Sequence, residues 1–420
     1  MNLRGYFGLA EPHDPARMLV LVAAGALGVV LTGLTVWLVL AGEFIPGSPR
    51  EHYLLYLTAL IAAGAGFAAK PRVAAALLSL ATIDMALGFG SFVMVRAGLA
   101  YSDVLPDKYW DPPRFEWHPL LQGVPIPSIS RRVVNLTVSH SSAGTRGRDY
   151  SAAELRHKTV IAVFGGSTTY DLMVSDDETW PARLEARLGA SAYAVINNGV
   201  PGYSTAEHVV QTAFYEKKFG VLPRCALYYI GWNDIRNARR PHLDWGFARY
   251  HLPSQIDNLQ IRRAGTEFET LSPLITIAGR VVGQLADTAV RRDDRPTGTE
   301  VGSGDSFDDV VIQNLQTISA INRARGITTI WVPQVLNLAA LDRDGPATWV
   351  AGATRREVPV LMAAYARVVK REAAALGDLF IELDPHAFGA EDFQDSGHFA
   401  PVGSARLAAL LAGPVTRACE

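Results

Sequence analysis

The sequence predicts an α/β domain with a parallel β-sheet covered by helices on both faces, preceded by an N-terminal bundle of three transmembrane helices. The chain has 420 residues, of which 49% are hydrophobic, so it has room for one large domain and membrane segments. The apolar excess lies in the first hundred residues. Beyond residue 158, short apolar runs alternate with helical stretches, which is typical of a parallel sheet.

Three apolar segments, residues 18–41, 53–69 and 73–95, predict the membrane helices. The first carries no charged residue and is long enough to cross a hydrocarbon core of about 30 Å. Lys70-Pro71-Arg72 forms a polar turn that joins the second and third segments as a hairpin. A cleaved signal peptide is the weaker interpretation of the first segment, because two more apolar runs follow it.

Basic residues near the helix ends predict the orientation of this anchor. Arg4 and Arg17 precede the first helix, and Lys70 and Arg72 lie between the second and third. The positive-inside rule places both sites on the cytoplasmic side, although Arg96 favours the opposite orientation. We therefore expect a multi-pass protein of the bacterial inner membrane with a cytoplasmic N-terminus and a periplasmic or extracellular domain.

Asp84 is the one acidic residue within a predicted span. An ionised carboxylate costs about 2.5–3.5 kcal/mol at the centre of a membrane helix. A proton relay or substrate contact is one interpretation. We favour a protonated or hydrogen-bonded packing residue that faces another helix.

The chain divides into three parts on these patterns. Residues 1–98 form the anchor, and residues 99–154 form a connector that packs on the catalytic domain and contains a short strand over 132–138. Residues 155–420 form the domain itself, with an insertion over 238–306. This insertion could be a lid, an acceptor-binding surface or a disordered loop, and we expect an ordered first half and a mobile stretch around 293–305.

Strands and helices alternate through the domain in a regular order. The predicted strands cover residues 159–164, 193–196, 226–230, 328–332 and 379–383. The predicted helices cover residues 180–188, 205–218, 307–325 and 358–375, and a last helix begins at Pro401, a residue suited to a first turn.

Polar residues follow the strands of this sheet. Ser167 comes after the first strand, Gly202 after the second and Asn233 after the third, while Asp395 and His398 follow the last. Because ligands bind beyond the carboxyl ends of parallel strands, folding gathers all five residues at one edge.

These residue types suit acyl transfer through a serine ester. Histidine is the side chain best suited to act as a general base near neutral pH, so His398 can remove the proton of Ser167, while Asp395 can accept the other ring N–H and fix the tautomer. The backbone N–H groups of Ser167 and Gly202 and the amide of Asn233 would form an oxyanion hole. Helix capping alone could explain each motif singly, but four motifs at one sheet edge favour a catalytic site.

Four motifs together resemble the SGNH, or GDSL-type, superfamily of esterases and lipases. They are Gly165-Gly166-Ser167, Gly202, Gly231-Trp232-Asn233-Asp234 and Asp395-x-x-His398. The resemblance implies a flavodoxin-like three-layer α/β/α fold, no metal and no cofactor. It also implies Ser167, Asp395 and His398 as catalytic residues, and Ser167, Gly202 and Asn233 as oxyanion donors.

One departure and one further similarity bear on this resemblance. Gly166 stands where the superfamily usually has Asp, a change also typical of its Gly-Gly-Ser-Thr subgroup. Gly144-Thr145-Arg146-Gly147 resembles a Gly-x-Arg-Gly sequence that precedes the first motif in that subgroup, which suggests that the connector is integral to the domain.

The chain has two cysteines, Cys225 in a predicted strand and Cys419 near the C-terminus. A buried strand cysteine is more often a small hydrophobic residue, so we expect no disulfide. The net charge of −2 gives no support to a nucleic-acid partner.

We predict a membrane-anchored serine esterase that hydrolyses acyl esters, O-acetyl esters foremost, of an extracytoplasmic glycan or lipid. One alternative is an O-acyltransferase that passes the acyl group of Ser167 to a cell-surface polysaccharide, and exclusion of water would separate the two. Another is a non-catalytic glycan-binding subunit of a membrane complex. Three membrane helices, where one would tether, favour a membrane-protein partner.

Overall fold

The structure is a computed structural model. It describes residues 14–40, 44, 49–96, 114–116, 118, 121, 123–133, 136–238, 272–275, 278, 306–347, 350 and 352–420. The chain forms two compact units, one of Met1–Pro113 with Leu259–Val290 and one of Arg114–Asn258 with Arg291–Glu420.

The described N-terminal part of the first unit contains the helices α1 (Pro15–Leu40), α2 (Pro49–Gly66) and α3 (Pro71–Arg96). Each begins with proline, which lacks the N–H that a first turn leaves unbonded. Among the described residues, only α1 and the Pro71–Gly90 part of α3 are long and apolar enough to cross a membrane. The expectation of three spans is thereby reduced to two candidates, because α2 begins with the polar residues Arg50, Glu51 and His52, which lower its mean hydropathy.

Asp84 of α3 is completely buried and hydrogen-bonded through both carboxylate oxygens. The hydroxyl of Tyr56 on α2 donates to Oδ2 at 2.6 Å. The Ser272 hydroxyl and the Leu274 N–H donate to Oδ1 at 2.9 and 3.0 Å. The favoured interpretation of a hydrogen-bonded packing residue is therefore confirmed, and two of its donors come from the 238–306 insertion.

The second unit opens with two antiparallel strand pairs. Strand β1 (Phe115–Glu116) pairs with β2 (Val124–Pro125), and β3 (Ile129–Val133) pairs with β4 (Leu136–His140). The single connector strand expected over 132–138 is therefore wrong. That stretch contains the end of one strand and the beginning of its partner.

A five-stranded parallel sheet follows, in the order β6-β5-β7-β8-β9. Its strands are β5 (Thr159–Gly165), β6 (Tyr193–Asn197), β7 (Cys225–Ile230), β8 (Thr328–Pro333) and β9 (Leu379–Phe380). The described α-helices of this unit are α4 (Ala152–Leu155), α5 (Ser167–Tyr170), α6 (Trp180–Leu188), α7 (Thr205–Phe219), α8 (Trp232–Ala238), α9 (Ser306–Ala324), α10 (Leu338–Leu341), α11 (Glu357–Leu376) and α12 (Pro401–Cys419). This strand order is the flavodoxin-like one, as expected.

Alternating strand residues face two separate cores. Phe164, Tyr228 and Trp331 pack on one side of the sheet, in the core that includes residues of α7, α9 and α11. Val163 and Leu227 pack on the other side, in the core that includes residues of α6 and α12. Both faces are covered, so the strands are mostly apolar, as is usual in parallel sheets.

Cys225 and Cys419 form a disulfide, contrary to the expectation of none. Cys225 opens β7 and Cys419 ends α12, and their Cα atoms lie 5.7 Å apart although 194 residues separate them in sequence. Both residues are buried. The sequence shows neither that the last helix packs on the sheet nor that its end reaches this strand.

Most of the 238–306 insertion, including the stretch 293–305, lies outside the described residues. The expectations for its order and mobility therefore stay predictions.

Candidate active site

The nucleophile candidate lies on a tight turn between β5 and α5. Gly165 ends the strand, and a Cβ there would come within 2.5 Å of the Tyr229 carbonyl oxygen, so only glycine fits. Ser167 begins α5, which ends after one turn at Asp171, a residue in the left-handed conformation with φ of 61°. This turn holds the Ser167 hydroxyl at the carboxyl end of the sheet.

Ser167, His398 and Asp395 form a continuous hydrogen-bonded chain. The Nε2 atom of His398 lies 2.8 Å from the Ser167 Oγ, and its Nδ1 lies 2.7 Å from Asp395 Oδ2. The second carboxylate oxygen, Oδ1, accepts the backbone N–H groups of Gly397 and His398, each at 2.8 Å. The structure thus brings together three residues of the predicted site, two of them on one short loop.

The Asp395 carboxylate is held in its charged form. Burial alone would raise its pKa, but the hydrogen bond and positive potential of His398 and the two backbone N–H groups lower the pKa below its ordinary value. An ionised Asp395 fixes the Nδ1–H tautomer of His398, which leaves Nε2 free to accept the Ser167 proton.

Asn233 brings a side-chain amide to the same edge of the sheet. Its Nδ2 donates to the Tyr203 carbonyl oxygen at 2.8 Å, which leaves one N–H of the amide for a ligand. Gly202, which adopts φ of 89°, immediately precedes Tyr203. Among the described residues, the backbone N–H groups of Ser167 and Gly202 have no hydrogen-bond acceptor. These are the groups that an oxyanion hole needs.

In this structure Gly166 lies close to the end of the Asn233 side chain. A Cβ on Gly166 would lie 2.3 Å from Asn233 Nδ2, closer than such atoms approach in proteins. A side chain here would displace the amide, so the Asn233 position and Gly166 depend on each other.

The connector contributes buried polar residues to the turn that carries Ser167. His140 of β4 contacts the Tyr170 hydroxyl through Nε2 at 2.8 Å and the Ile126 carbonyl through Nδ1 at 2.9 Å. Arg146, from the Gly144–Gly147 motif, donates to the Val174 carbonyl oxygen at 2.8 Å and lies 4.8 Å from the Tyr170 ring centre. Both residues therefore pack around the last residue of α5.

Asp171, which directly follows α5, is a buried acidic residue that sequence reasoning did not single out. It is 1% exposed, and its Oδ2 accepts the Ser404 hydroxyl at 2.6 Å and the Trp180 N–H at 2.8 Å. Burial raises its pKa to about 7. Its position four residues after Ser167 was visible in the sequence, but its burial was not.

A second buried histidine, His208, does not join this hydrogen-bonded chain. His208 is completely buried in the core, where burial lowers its pKa to about 4, and its Nδ1 contacts Gln211 Oε1 at 2.9 Å. The described residues include no cluster of three or more histidine, cysteine or acidic side chains that could hold a metal ion.

Comparisons with known proteins give structural matches only. No protein-family model matches the chain, and no curated protein matches it. Among solved structures, TesA matches at 14% identity and a TM-score of 0.37, covering 62% of this chain and 99% of its own. A GDSL-like lipase from Bacteroides thetaiotaomicron matches at 12% identity and a TM-score of 0.34, covering 63% of this chain and 91% of its own.

The psychrotrophic esterase EstA from Pseudoalteromonas sp. matches at 10% identity and a TM-score of 0.36, covering 62% of this chain and 98% of its own. One of these three structures is thus named as a GDSL-like lipase and another as an esterase. At these identities and TM-scores, the function of this chain has to rest on the geometry of its own site.

Proposed function

We propose that this protein is a membrane-anchored serine esterase that acts outside the cytoplasm on acyl esters, O-acetyl esters foremost, of a glycan or lipid. The observation that carries the proposal is the hydrogen-bonded chain from Asp395 through His398 to Ser167. Nucleophile, base and orienting acid stand within hydrogen-bond distance of one another, which is the geometry of an activated serine.

The reaction follows from these positions. His398 removes the Ser167 proton as Oγ attacks the ester carbonyl carbon, and the N–H groups of Ser167, Gly202 and Asn233 stabilise the negative oxygen of the tetrahedral intermediate. His398 then gives the proton to the leaving alcohol, which leaves an acyl-Ser167 ester. Water, deprotonated by the same imidazole, attacks this ester and releases the acid and the free serine.

Two observations support a site outside the cytoplasm. Arg17, Lys70 and Arg72 lie at the same end of the predicted helices, which the positive-inside rule places in the cytoplasm. The Cys225–Cys419 disulfide fits an oxidising compartment such as the periplasm. A third span through α2 remains part of this proposal. If α1, α2 and α3 all cross the membrane, starting from a cytoplasmic N-terminus, the second unit lies outside the cytoplasm.

The experiment is hydrolysis of an aryl acetate by the purified full-length protein in detergent, with Ser167→Ala as the paired variant. We expect turnover by the wild type and loss of nearly all turnover in the variant, which should fold normally. Equal activity in both proteins would refute the mechanism. Acetyl transfer to an added polysaccharide at the expense of hydrolysis would instead favour the O-acyltransferase, and folded but inactive wild type would favour the glycan-binding subunit.

A further inference from the structure

The segment that follows β8, residues 334–337, contacts three separate parts of the site. We call it the bridging segment. Gln334 is 6% exposed, and its Oε1 accepts the backbone N–H of Trp232 at 2.6 Å. Its Nε2 donates to the hydroxyl of Thr168. Trp232 immediately precedes Asn233, and Thr168 immediately follows Ser167. The side-chain amide of Gln334 therefore links the turn that carries Ser167 to the start of α8, which carries Asn233.

Asn337 connects the same segment to the loop of the acid and base. Its backbone N–H donates to the Ser396 carbonyl oxygen at 3.0 Å, and its Nδ2 donates to the Asp395 carbonyl oxygen at 3.0 Å. Its Oδ1 caps α10 by accepting the Ala340 N–H at 3.1 Å. Asn337 is 7% exposed, so water does not readily replace these bonds.

We propose that Gln334 and Asn337 are positioning residues of the proposed esterase. Gln334 fixes the distance between the Ser167 hydroxyl and the Asn233 amide, and Asn337 fixes the loop that presents Asp395 and His398. This inference rests on the proposed function. Its physical basis is that a catalytic group displaced by about 1 Å can cost a hundredfold in rate.

Gln334 also borders a cavity of about 490 Å³ that is lined by Met362 and Phe380. A glutamine that contacts substrate in this cavity would change KM when replaced. A positioning glutamine would change kcat and leave KM unaltered, because the misaligned groups act on the transition state. The two roles therefore differ in a measurable way.

The first experiment measures kcat and KM for Gln334→Met, Thr168→Val and the double variant. Both single changes break the Gln334–Thr168 bond, so we expect each to lower kcat by about tenfold to a hundredfold at unchanged KM, and the double variant to lose less than the product of the two losses. Thr168→Ser keeps the hydroxyl and should recover most of the loss. Gln316→Met, which removes an exposed amide bonded to Glu372 between α9 and α11, is the control for the same chemical change away from the site and should keep wild-type activity.

Several outcomes would overturn the role of Gln334. They are a raised KM at constant kcat, full additivity in the double variant, or an equal loss in Gln316→Met. If Gln334→Met does not fold, Thr168→Val and Thr168→Ser still decide the question, since they break and restore the same bond from the other side.

The second experiment tests Asn337. Asn337→Ser can still cap α10 but is too short to reach the Asp395 carbonyl. We expect a lower kcat and a shifted midpoint in its pH–rate profile, whereas Gln334→Met should keep the wild-type midpoint. Equal midpoints in all three proteins would refute the role of Asn337. Wild-type protein that fails to react with a fluorophosphonate at Ser167 would refute the proposed function, which separates the two failures.

Discussion

The Asp395 carboxylate allows a direct test of the site, because its two oxygens accept hydrogen bonds from different donors. In Asp395→Asn, the side-chain oxygen is expected to accept the N–H groups of Gly397 and His398, which Oδ1 accepts at 2.8 Å in the present structure. The new NH₂ group then faces His398 Nδ1, where Oδ2 now lies at 2.7 Å. An NH₂ donor there forces the proton of the imidazole onto Nε2, so His398 can no longer accept the Ser167 proton.

The size of the effect follows from this tautomer. Loss of the base through a fixed wrong tautomer lowers kcat by about 10⁴, or roughly 5 kcal/mol of transition-state stabilisation. The assay is aryl acetate turnover at pH 7, together with thermal unfolding to show that the fold is intact. Asp384→Asn is the matched control, since Asp384 precedes His386 outside the site and should keep wild-type turnover. Turnover in Asp395→Asn within tenfold of wild type would refute the reasoning.

Three further predictions concern other parts of the second unit. Gly166→Ala places a methyl group 2.3 Å from the present position of Asn233 Nδ2, so kcat should fall by about a hundredfold or more, as for loss of one oxyanion donor. Cys419→Ser should lower the free energy of unfolding by about 2–4 kcal/mol in denaturant titrations, because it opens the link to Cys225. Buried Asp171, with a pKa of about 7 against an ordinary 3.8, keeps its proton in the folded state, so its contribution to stability should fall as pH rises from about 4 to about 7. Asparagine tolerates the left-handed backbone conformation at this position. In urea titrations between about pH 4 and about pH 7, Asp171→Asn should therefore show a smaller fall of the free energy of unfolding with pH.

Each of these predictions has a contradicting result. Gly166→Ala with wild-type kcat would mean that Asn233 can move without loss. Cys419→Ser as stable as the wild type in oxidising buffer would mean that the disulfide contributes nothing to stability. An unchanged pH slope in Asp171→Asn would assign the slope to another group, of which Asp234, with a pKa raised to about 6 by burial, is the first to examine.

The sheet and the main site residues could be predicted from the sequence because local pattern and chain order were sufficient. Strands buried on both faces are short continuous apolar runs, and helices between them force a parallel arrangement. Once the strands are parallel, residues that follow them share one edge. This rule alone predicts the positions of Ser167 and Asn233. Asp395 and His398 are close to each other because only three positions separate them in sequence.

The features that sequence reasoning missed depend on contacts between distant segments. Cys225 and Cys419 meet only because α12 packs back on the sheet. Gln334 follows a strand like the other site residues, but a glutamine in that place matches no catalytic pattern. The bond between Ser272 and Asp84 links residues 188 positions apart. Periodicity and motifs contain no signal for such pairs.

Covalent labelling of the full-length protein by a fluorophosphonate tests the central claim most directly, because the probe reacts with a serine whose proton has an acceptor. The modified residue is identified by mass spectrometry in the wild type, in Ser167→Ala and in Asp395→Asn. The proposed mechanism predicts one modification, at Ser167, that is absent from Ser167→Ala and much slower in Asp395→Asn. Folded wild-type protein that stays unmodified, or that reacts equally when Ser167 is absent, would contradict it.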